Sequence, residues 1–496
     1  MIAQLARLKG LPRNRSNDAI AAVLLTLLAF GLRIATFGDP NLHVDETFYF
    51  YVAEQMHKGA TLYIDVWDRK PPGLFALYYL FVGIADDVRS YQIAATLTVS
   101  LTAFLIFRMA RIFANFQGSL FAGFVYLIML GPFQGFGGQA PIFFNAFVTG
   151  AALIVMRALP RLRAGESPTS LYWAFLLLGL AITIKQTTVF EGAYFGVVCT
   201  WITLRARTGT GGLGPPLAWA ALGAAPFLIC AAIYGVIGHF YEFWQAMVVS
   251  NFSKSKPDLL GMLARSITVG TKVLVPSCVA TLGLLTPHPA IRSFHHRAVL
   301  IGWVIAAVIG FLSVPNFYVH YGLSLLPPLC VLGAAFLARG FMGAAALAGV
   351  IWASTIWHNP FGFAYSQASR SALFSLSEAA SQHRGGRDLF VYDGPMLVYS
   401  MTGMHAASPL AFPMHLNHLI ERNVSHLNTT LEVRRTLGRR PGAIILSEVV
   451  RNFPANLETR RLVLQYAHEN CKKIGEFPSL DSLAVYSIAL YGDCRR

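Results

Sequence analysis

The chain has 496 residues, of which 55% are hydrophobic and only 13% are charged, and its mean hydropathy is +0.52. This composition excludes an ordinary soluble globular protein and indicates a polytopic membrane protein. The net charge of +15 does not require a nucleic-acid partner, because Lys and Arg in cytoplasmic loops orient membrane helices and meet anionic lipid headgroups.

Apolar runs close to the length of a bilayer-crossing helix recur over the first 357 residues. They are long for the strands of a membrane barrel. We predict about eleven transmembrane helices from their lengths, at 18–38, 91–113, 118–135, 141–159, 170–185, 187–204, 215–238, 266–287, 298–314, 321–338 and 341–357. The first segment carries Arg33 and no small-residue cleavage site, so we interpret it as an anchor and not as a signal peptide.

The distribution of Lys and Arg predicts the orientation of these helices. With a cytoplasmic N-terminus, the cytoplasmic loops carry more of these residues than the opposite loops do. An odd number of helices then places the loop 39–90 and everything after residue 357 outside. We therefore predict an integral protein of the bacterial inner (plasma) membrane, with a transmembrane domain at 1–357 and a periplasmic, extracytoplasmic domain at 358–496.

The C-terminal region has the pattern of a small α/β domain. Short β-rich runs at 388–392, 442–446 and 483–486 alternate with predicted helices at 415–438 and 455–470. Cys471 and Cys494 both lie in this exported region, where oxidation is permitted, and parity alone suggests that they form one disulfide. The other four cysteines fall in apolar segments, where free thiols behave as small hydrophobic side chains.

The first outer loop, residues 39–90, is acidic within a basic chain, with eight acidic and four basic residues and a net charge of −4. Residues 46–58 predict an interfacial amphipathic helix with Asp45 or Glu46 at its start. The polar side of this helix would consist of Glu54, Gln55 and His57. Residues 74–85 are apolar but short for a span, which favours a second helix that lies in the interface or is re-entrant.

Asp45, with Glu46 beside it, is the first candidate for chemistry. A carboxylate that is partly desolvated at a membrane surface gains basicity and can act as a general base. The alternative is structural, because Asp directly before a helix is a common N-cap residue. Both roles are compatible with the sequence.

Three cations are candidates for binding a phosphate. Lys70 precedes Pro71 and Pro72, which begin a helix, and a helix N-terminus with an adjacent cation attracts phosphate. Arg69 adds a second positive group, and Lys185, between two apolar segments on the same side, adds a third. The alternative for Lys70 and Lys185 is that they reach to lipid headgroups as anchors.

Two further groups stand in predicted outer loops. His239 and Glu242 at i, i+3 can share a helix face and bind a metal, although an ordinary interfacial pair is the more frequent arrangement. His320 and Tyr321 at a helix start can line a cavity, whereas Tyr318 fits an interfacial aromatic belt. The sequence has no Walker loop, dinucleotide fingerprint or zinc-finger spacing, so a soluble nucleotide donor is not indicated.

The first loop resembles a known family. Its matching residues are Asp45-Glu46-Thr47-Phe48-Tyr49 with Ala53, followed by Gly59, Tyr63, Asp65 and Lys70-Pro71-Pro72-Gly73. They resemble the first outer loop of the GT-C glycosyltransferases of the dolichyl-phosphate-mannose protein mannosyltransferase and lipid A aminoarabinose transferase group. The stretches 179–187, 320–328 and 388–413 are also similar to that group.

The resemblance implies a helical GT-C membrane protein that transfers a hexosyl or pentosyl unit from a polyprenyl-phosphate donor to an envelope lipid, glycan or protein. It assigns Asp45 as general base and Lys70 as a ligand of the donor phosphate, with Tyr49 among the cavity candidates. The sequence departs from the lipid A transferases at Arg69, where those proteins have an acidic residue. This departure does not support a metal site like theirs, so no cofactor is assigned, and a divalent metal stays open.

One base and a few cations fit the chemistry that a sugar phosphodiester requires, since the donor carries its own leaving group. Displacement with one carboxylate implies inversion at the anomeric carbon. The alternative is a transporter or flippase of lipid-linked saccharide, in which the cations only hold phosphate during passage. A third reading makes residues 358–496 a binding module on a membrane scaffold.

Overall fold

The structure is a computed structural model, and it describes residues 15–206, 212–253, 259–287, 294–450, 454–480 and 485–495. The α-helices of residues 15–357 are α1 (Arg15–Arg33), α2 (Val44–His57), α3 (Pro72–Ile84), α4 (Arg89–Ala110), α5 (Phe116–Leu130), α6 (Ala140–Arg163), α7 (Ser170–Ile184), α8 (Val189–Ala206), α9 (Gly214–Val236), α10 (Phe240–Trp244), α11 (Ser250–Ser253), α12 (Leu259–Leu285), α13 (Phe294–Leu312), α14 (Leu326–Leu337) and α15 (Gly340–Trp357). The C-terminal region contains α16 (Phe363–His383), β1 (Leu389–Val391), α17 (Leu397–Met401), α18 (Pro413–Asn417), α19 (Thr429–Gly438), β2 (Ala443–Leu446), α20 (Leu457–Asn470), β3 (Lys472–Leu480) and β4 (Val485–Gly492).

Every predicted transmembrane segment contains a helix. Within the described residues, eight helices are long and apolar enough to cross a membrane, and shorter apolar helices lie at 72–84, 170–184 and 296–312. The helix at 72–84 has only 13 residues, in agreement with its interpretation as too short for a span. The chain is thus a polytopic α-helical membrane protein with a small C-terminal sheet, as the sequence predicts.

Helix α2 is present where the first loop predicts it, but of its predicted polar side only His57 is exposed. All residues from 46 to 55 are buried, and Glu54 and Gln55 retain only 8% and 7% of their exposure. The C-terminal region covers this side: the Ser400 hydroxyl donates to Glu54, and the Ala406 amide donates to the Tyr51 hydroxyl (2.8 Å). The predicted polar side is therefore wrong for Glu54 and Gln55, because a second layer of protein packs on this part of the helix, whereas His57 is exposed as predicted.

The C-terminal sheet has the strand order β1-β2-β4-β3. Strands β1 and β2 are parallel, with Phe390 opposite Ile444, whereas β4 runs antiparallel to both β2 and β3. Strand β3 was not predicted, because Pro478 and its charged residues are unusual for a central strand. It lies at the sheet edge, where proline is tolerated. Of the predicted strand at 483–486, residues 483 and 484 lie outside the described residues.

The single helix predicted at 415–438 is wrong. Helix α18 ends at Asn417, a 3-10 turn follows at Leu419–Glu421, and α19 starts only at Thr429. Asn423 has a left-handed backbone (φ 55°), and the Asn428 side chain accepts a hydrogen bond from the Leu431 amide (3.0 Å) as the N-cap of α19. A left-handed residue such as Asn423 interrupts a helical segment, and a side-chain cap such as Asn428 starts a new helix. The segment 415–438 therefore forms separate short elements instead of one helix.

Hydrogen bonds connect the C-terminal region to the first loop, and a disulfide stabilises the region internally. Asn41 donates its side-chain amide to the Leu480 carbonyl (2.9 Å), and the Trp67 amide donates to the Pro409 carbonyl (2.9 Å). A disulfide joins Cys471 to Cys494, next to the paired strands β3 and β4. The first loop is therefore held between the membrane helices and the C-terminal region.

Candidate active site

The site begins at the turn before α2. His43, with extended backbone (φ −154°, ψ 135°), is the N-cap residue, and its Nδ1 accepts hydrogen bonds from the Asp45 amide (3.2 Å) and from Gln139 Nε2 (2.6 Å). The expectation that Asp45 or Glu46 caps this helix is therefore wrong. Because the imidazole satisfies the first turn, the Asp45 carboxylate is free to face other groups.

Asp45 lies in a cluster of basic side chains. Its carboxylate is 3.4 Å from Lys70 Nζ and 4.0 Å from His320 Nε2, and 16% of the side chain is exposed. Burial alone would raise the pKa of the Asp45 carboxyl, but Lys70, followed by His43, holds that pKa well below its usual range. The carboxylate is thus ionised at physiological pH and accessible from one side.

Lys70 is positioned by a second carboxylate that the sequence did not single out. Asp68, which is buried, accepts a hydrogen bond from Lys70 Nζ (3.2 Å) and further bonds from the backbone amides of Arg69 (2.5 Å) and Lys70 (3.1 Å). Burial would lower the pKa of Lys70, but Asp45 and Asp68 raise it above its usual value. The ammonium group therefore remains charged and fixed between two acids.

Two aromatic rings enclose Lys70. Its ammonium lies 5.0 Å from the ring centre of Tyr49 on α2 and 5.6 Å from that of Phe412 in the C-terminal region. These distances are within the range of cation–π attraction. Phe412 packs on Phe48 of α2, with ring centres 4.8 Å apart. The C-terminal region thus forms one wall of the site.

Arg69 forms an ion pair with the C-terminal region. Its guanidinium donates two hydrogen bonds to the carboxylate of Glu421, at 2.6 and 2.8 Å. The Glu421 side chain is only 4% exposed, so the pair is largely shielded from water. Because 352 residues separate the two partners, no local pattern in the sequence identifies Glu421.

Lys185 is the third cation of the cluster. It follows α7, and its ammonium lies 4.8 Å from the ring centre of Tyr321. Within the part of the chain that the structure describes, no acidic group forms an ion pair with it. Burial, followed by repulsion from Lys70 and Arg69, lowers the pKa of Lys185 to about 7. An anion would relieve this repulsion, which makes Lys185 the strongest phosphate candidate on electrostatic grounds.

A 3-10 turn at Val319–Leu325 supplies the remaining aromatic wall. The His320 ring meets that of His43 edge-on at 5.6 Å and that of Tyr321 at 4.7 Å. Tyr318, which is partly exposed, stacks on His320 at 5.9 Å and so borders the same turn; its place in an interfacial belt stays a prediction. The predicted cavity residues His320 and Tyr321 thus lie beside Asp45 and Lys185.

Glu46 points away from this cluster. It is fully buried against the glycine-containing loop 134–139, where a side chain added at Gly137 would collide with its carboxyl group. Arg33 closes the same loop by donating to the carbonyls of Gly135 (2.9 Å) and Gly137. Burial raises the pKa of Glu46 to about 8, opposed in part by the charge of Arg33. Glu46 is therefore mainly protonated at neutral pH.

His239 and Glu242 do not join the cluster. They face each other across 3.5 Å at the start of the short helix α10, and both are partly exposed. In the described part of the chain, three residues with metal-binding groups converge elsewhere: the ligand atoms of His43, Asp45 and His320 lie within 4.8 Å of one another. The candidate metal position is therefore at the Asp45 cluster and not at α10.

The fold is similar to that of solved structures. Two solved structures, ArnT from Cupriavidus metallidurans bound to undecaprenyl phosphate and the same protein in the apo state, each superpose with a TM-score of 0.60, with 11% and 12% sequence identity. The alignments cover 96% and 95% of this chain and 97% of each ArnT chain. A scan against protein-family models and a search of curated proteins find no match. The chain therefore has the GT-C fold of ArnT, which confirms the fold that the first loop predicts.

Proposed function

We propose that this protein is an inverting glycosyltransferase that moves a sugar from a polyprenyl-phosphate donor to an envelope lipid, glycan or protein. The observation that carries the proposal is the Asp45 carboxylate, ionised and 3.4 Å from Lys70, in a fold that matches ArnT over 96% of the chain. The ArnT structure holds undecaprenyl phosphate. A carboxylate and fixed cations at a membrane boundary are what transfer from such a lipid requires.

In the proposed reaction, an acceptor hydroxyl or amine attacks the anomeric carbon of the sugar. The bond from that carbon to the phosphate oxygen breaks, and the polyprenyl phosphate leaves with the electron pair. Lys185 and Lys70 stabilise the negative charge on the departing phosphate. Asp45 takes the proton from the acceptor, so atoms and charge balance.

Two features support Asp45 as the base. Of the other nearby acids, Asp68 is buried beneath Lys70, and Glu46 faces the opposite wall. Lys70 holds the Asp45 pKa low in the free protein. When a donor phosphate takes over part of the Lys70 charge, the pKa of Asp45 rises and the carboxylate becomes a stronger base. One reacting carboxylate without a nucleophilic partner implies inversion.

We infer that Lys70 and Lys185 make the main contacts to the donor phosphate. Arg69 faces Glu421, so its charge reaches a phosphate only in competition with that carboxylate. The sequence-based expectation named Lys70 as the phosphate ligand and Arg69 as a second positive group, and this proposal places Lys185 ahead of Arg69. Tyr49 and Tyr321 would border the sugar, since their rings face the two lysines.

A divalent ion is a second way to use the same residues. Two imidazoles and a carboxylate are usual ligands of zinc, so the donor set of His43, Asp45 and His320 fits such an ion. A bound ion would supply charge stabilisation to an oxygen of the substrates. Lys70 lies next to the same carboxylate and opposes a second cation by charge repulsion. We propose that Lys70 fills this role, so that EDTA leaves transfer unchanged.

The membrane orientation belongs to the same proposal. We infer that the N-terminus is cytoplasmic and that the Asp45 cluster and residues 358–496 face the periplasm of a bacterial inner membrane. The support is the excess of Lys and Arg in the opposite loops. Residues 358–496 would form a domain that covers the site and contacts the acceptor, since Phe412 and Glu421 already border the cluster.

The proposal is tested by incubating the purified protein with a radiolabelled polyprenyl-phosphate sugar and envelope extracts. We expect label to pass to an acceptor with inverted anomeric configuration, which NMR of the product determines. Retained configuration would contradict the single-carboxylate mechanism. Translocation of the donor lipid across liposomes without any transfer would support the transporter or flippase instead.

A further inference from the structure

A second cavity lies far from the Asp45 cluster. It has a volume of about 530 Å³ and opens between helices α8 and α13. Helices α6 and α8 both start near the cluster, since Gln139 contacts His43 and Lys185 precedes α8, and the cavity is at their opposite ends. With 24 and 18 residues and a rise of about 1.5 Å per residue, the helices place the opening of the cavity, at Arg163 and Arg205, most of a bilayer thickness from the cluster.

The opening of this cavity is cationic. Arg163, at the end of α6, and Arg205, at the end of α8, both line it, and both are exposed. In the described residues neither arginine forms an ion pair. Arg161, two residues before Arg163, differs because it pairs with Glu166 at 2.5 Å. Two unneutralised arginines at one opening favour an anionic group.

The inner part of the cavity is apolar. Val197, Val198 and Ile202 line it, together with Tyr194, whose hydroxyl donates to the Val299 carbonyl (2.9 Å). Trp201 stands at the opening with the Arg205 guanidinium 4.2 Å from its ring centre. Tryptophan and arginine together are typical of the depth at which lipid headgroups meet acyl chains.

We propose that this cavity binds a membrane glycerophospholipid with an anionic headgroup. Its phosphate would contact Arg163 and Arg205, and one acyl chain would lie along Val197 and Ile202 toward Tyr194. Charge and shape both support this occupant, since the cations stand only at the opening and the wall beyond them is apolar. The inference does not depend on the proposed transferase activity.

The test is native mass spectrometry of the purified protein with phosphatidylglycerol or phosphatidylcholine added. We expect one phosphatidylglycerol to be retained per chain and phosphatidylcholine to be lost at lower activation energy. Arg163→Gln and Arg205→Gln should each weaken phosphatidylglycerol binding about fivefold. Val197→Trp should block it while leaving the charges in place.

Arg161→Gln is the matched control, because this arginine lies on the same helix end but is already paired. It should retain phosphatidylglycerol as the unmodified protein does. Equal loss in Arg161→Gln or full retention in Val197→Trp would overturn the proposal, because binding would then reflect general surface charge. Equal retention of both lipids would also overturn it, because the two arginines would then not select an anionic headgroup. Circular dichroism of each variant verifies that it is folded.

Discussion

The two faces of α2 place adjacent carboxylates in opposite environments. Asp45 faces Lys70 and His320, and its neighbours hold its pKa below the usual range. Glu46 faces the glycine-containing loop 134–139, where burial raises its pKa to about 8. Of these two neighbouring carboxyl groups, Asp45 is therefore the one that can accept a proton, whereas Glu46 shapes the wall behind it.

Substitution of Asp45 by Asn should have the largest effect. The carboxylate oxygen that accepts the acceptor proton is lost, so we expect transfer to fall by about 10²–10⁴-fold, with the protein still inserted and folded. The rate is measured with a radiolabelled polyprenyl-phosphate sugar. Asp65→Asn is the matched control, since Asp65 is an exposed acid of the same loop, whose carboxylate accepts a hydrogen bond from the Thr61 amide (2.7 Å). An equal loss of transfer in both variants would show that Asp45 has no role that another acid of the loop lacks.

Donor binding should depend on pH through Lys185. Its pKa of about 7 in the free protein lies below that of an exposed lysine, so the ammonium form is complete only below pH 7. A bound phosphate raises this pKa, and the affinity should therefore be highest below pH 7. It should fall as pH rises through 7, by up to about tenfold per unit.

Isothermal titration of an unreactive polyprenyl phosphate at several pH values measures this dependence. Lys185→Met should bind weakly at every pH, and Lys185→Arg should bind without the loss above pH 7, because arginine stays charged. An unchanged pH profile in Lys185→Met would show that another group titrates.

The Arg69–Glu421 pair should matter for docking of the C-terminal region. Loss of one partner leaves a poorly solvated charge, so Arg69→Gln or Glu421→Gln should each cost about 2–5 kcal/mol. The double variant should recover part of this loss, because no charge is then left alone. Thermal unfolding of the unmodified protein, the two single variants and the double variant measures the coupling free energy between the two residues. Strictly additive losses would show that the two residues act separately.

Glu46→Gln should have the smallest effect. Glu46 is mainly protonated at neutral pH, and glutamine has nearly the same volume, so the cost should stay below about 1.5 kcal/mol. Glu46→Ala should be worse, because it leaves a void beside Gly137 and Arg33. Thermal unfolding and transfer rates report both variants. A larger effect of Glu46→Gln on transfer than on stability would make Glu46 part of the reaction.

The local features of the site are predictable from the sequence. The start of α3 at Pro72 follows from proline at a first helical turn, and the pairing of Asp45 with Lys70 lies within one loop. The apolar segments follow from their length and composition. These signals are short-range, and they define the membrane helices and one half of the candidate site.

The other half depends on contacts between distant parts of the chain. Phe412 and Glu421 reach Lys70 and Arg69 only after the C-terminal region packs on the first loop. Asp68 appears as an ordinary loop acid until its burial beneath Lys70 is known. The exposure expected for Glu54 was wrong for the same reason, since helix periodicity cannot show that a second layer covers the polar side.

Assaying Asp45→Asn and Glu46→Gln side by side, with equal amounts of folded protein and one polyprenyl-phosphate sugar donor, distinguishes the proposed base from its neighbour. We expect Asp45→Asn to lose nearly all transfer and Glu46→Gln to retain most of it. Substantial transfer by Asp45→Asn, or a comparable loss in Glu46→Gln, would contradict the assignment of Asp45 as the base.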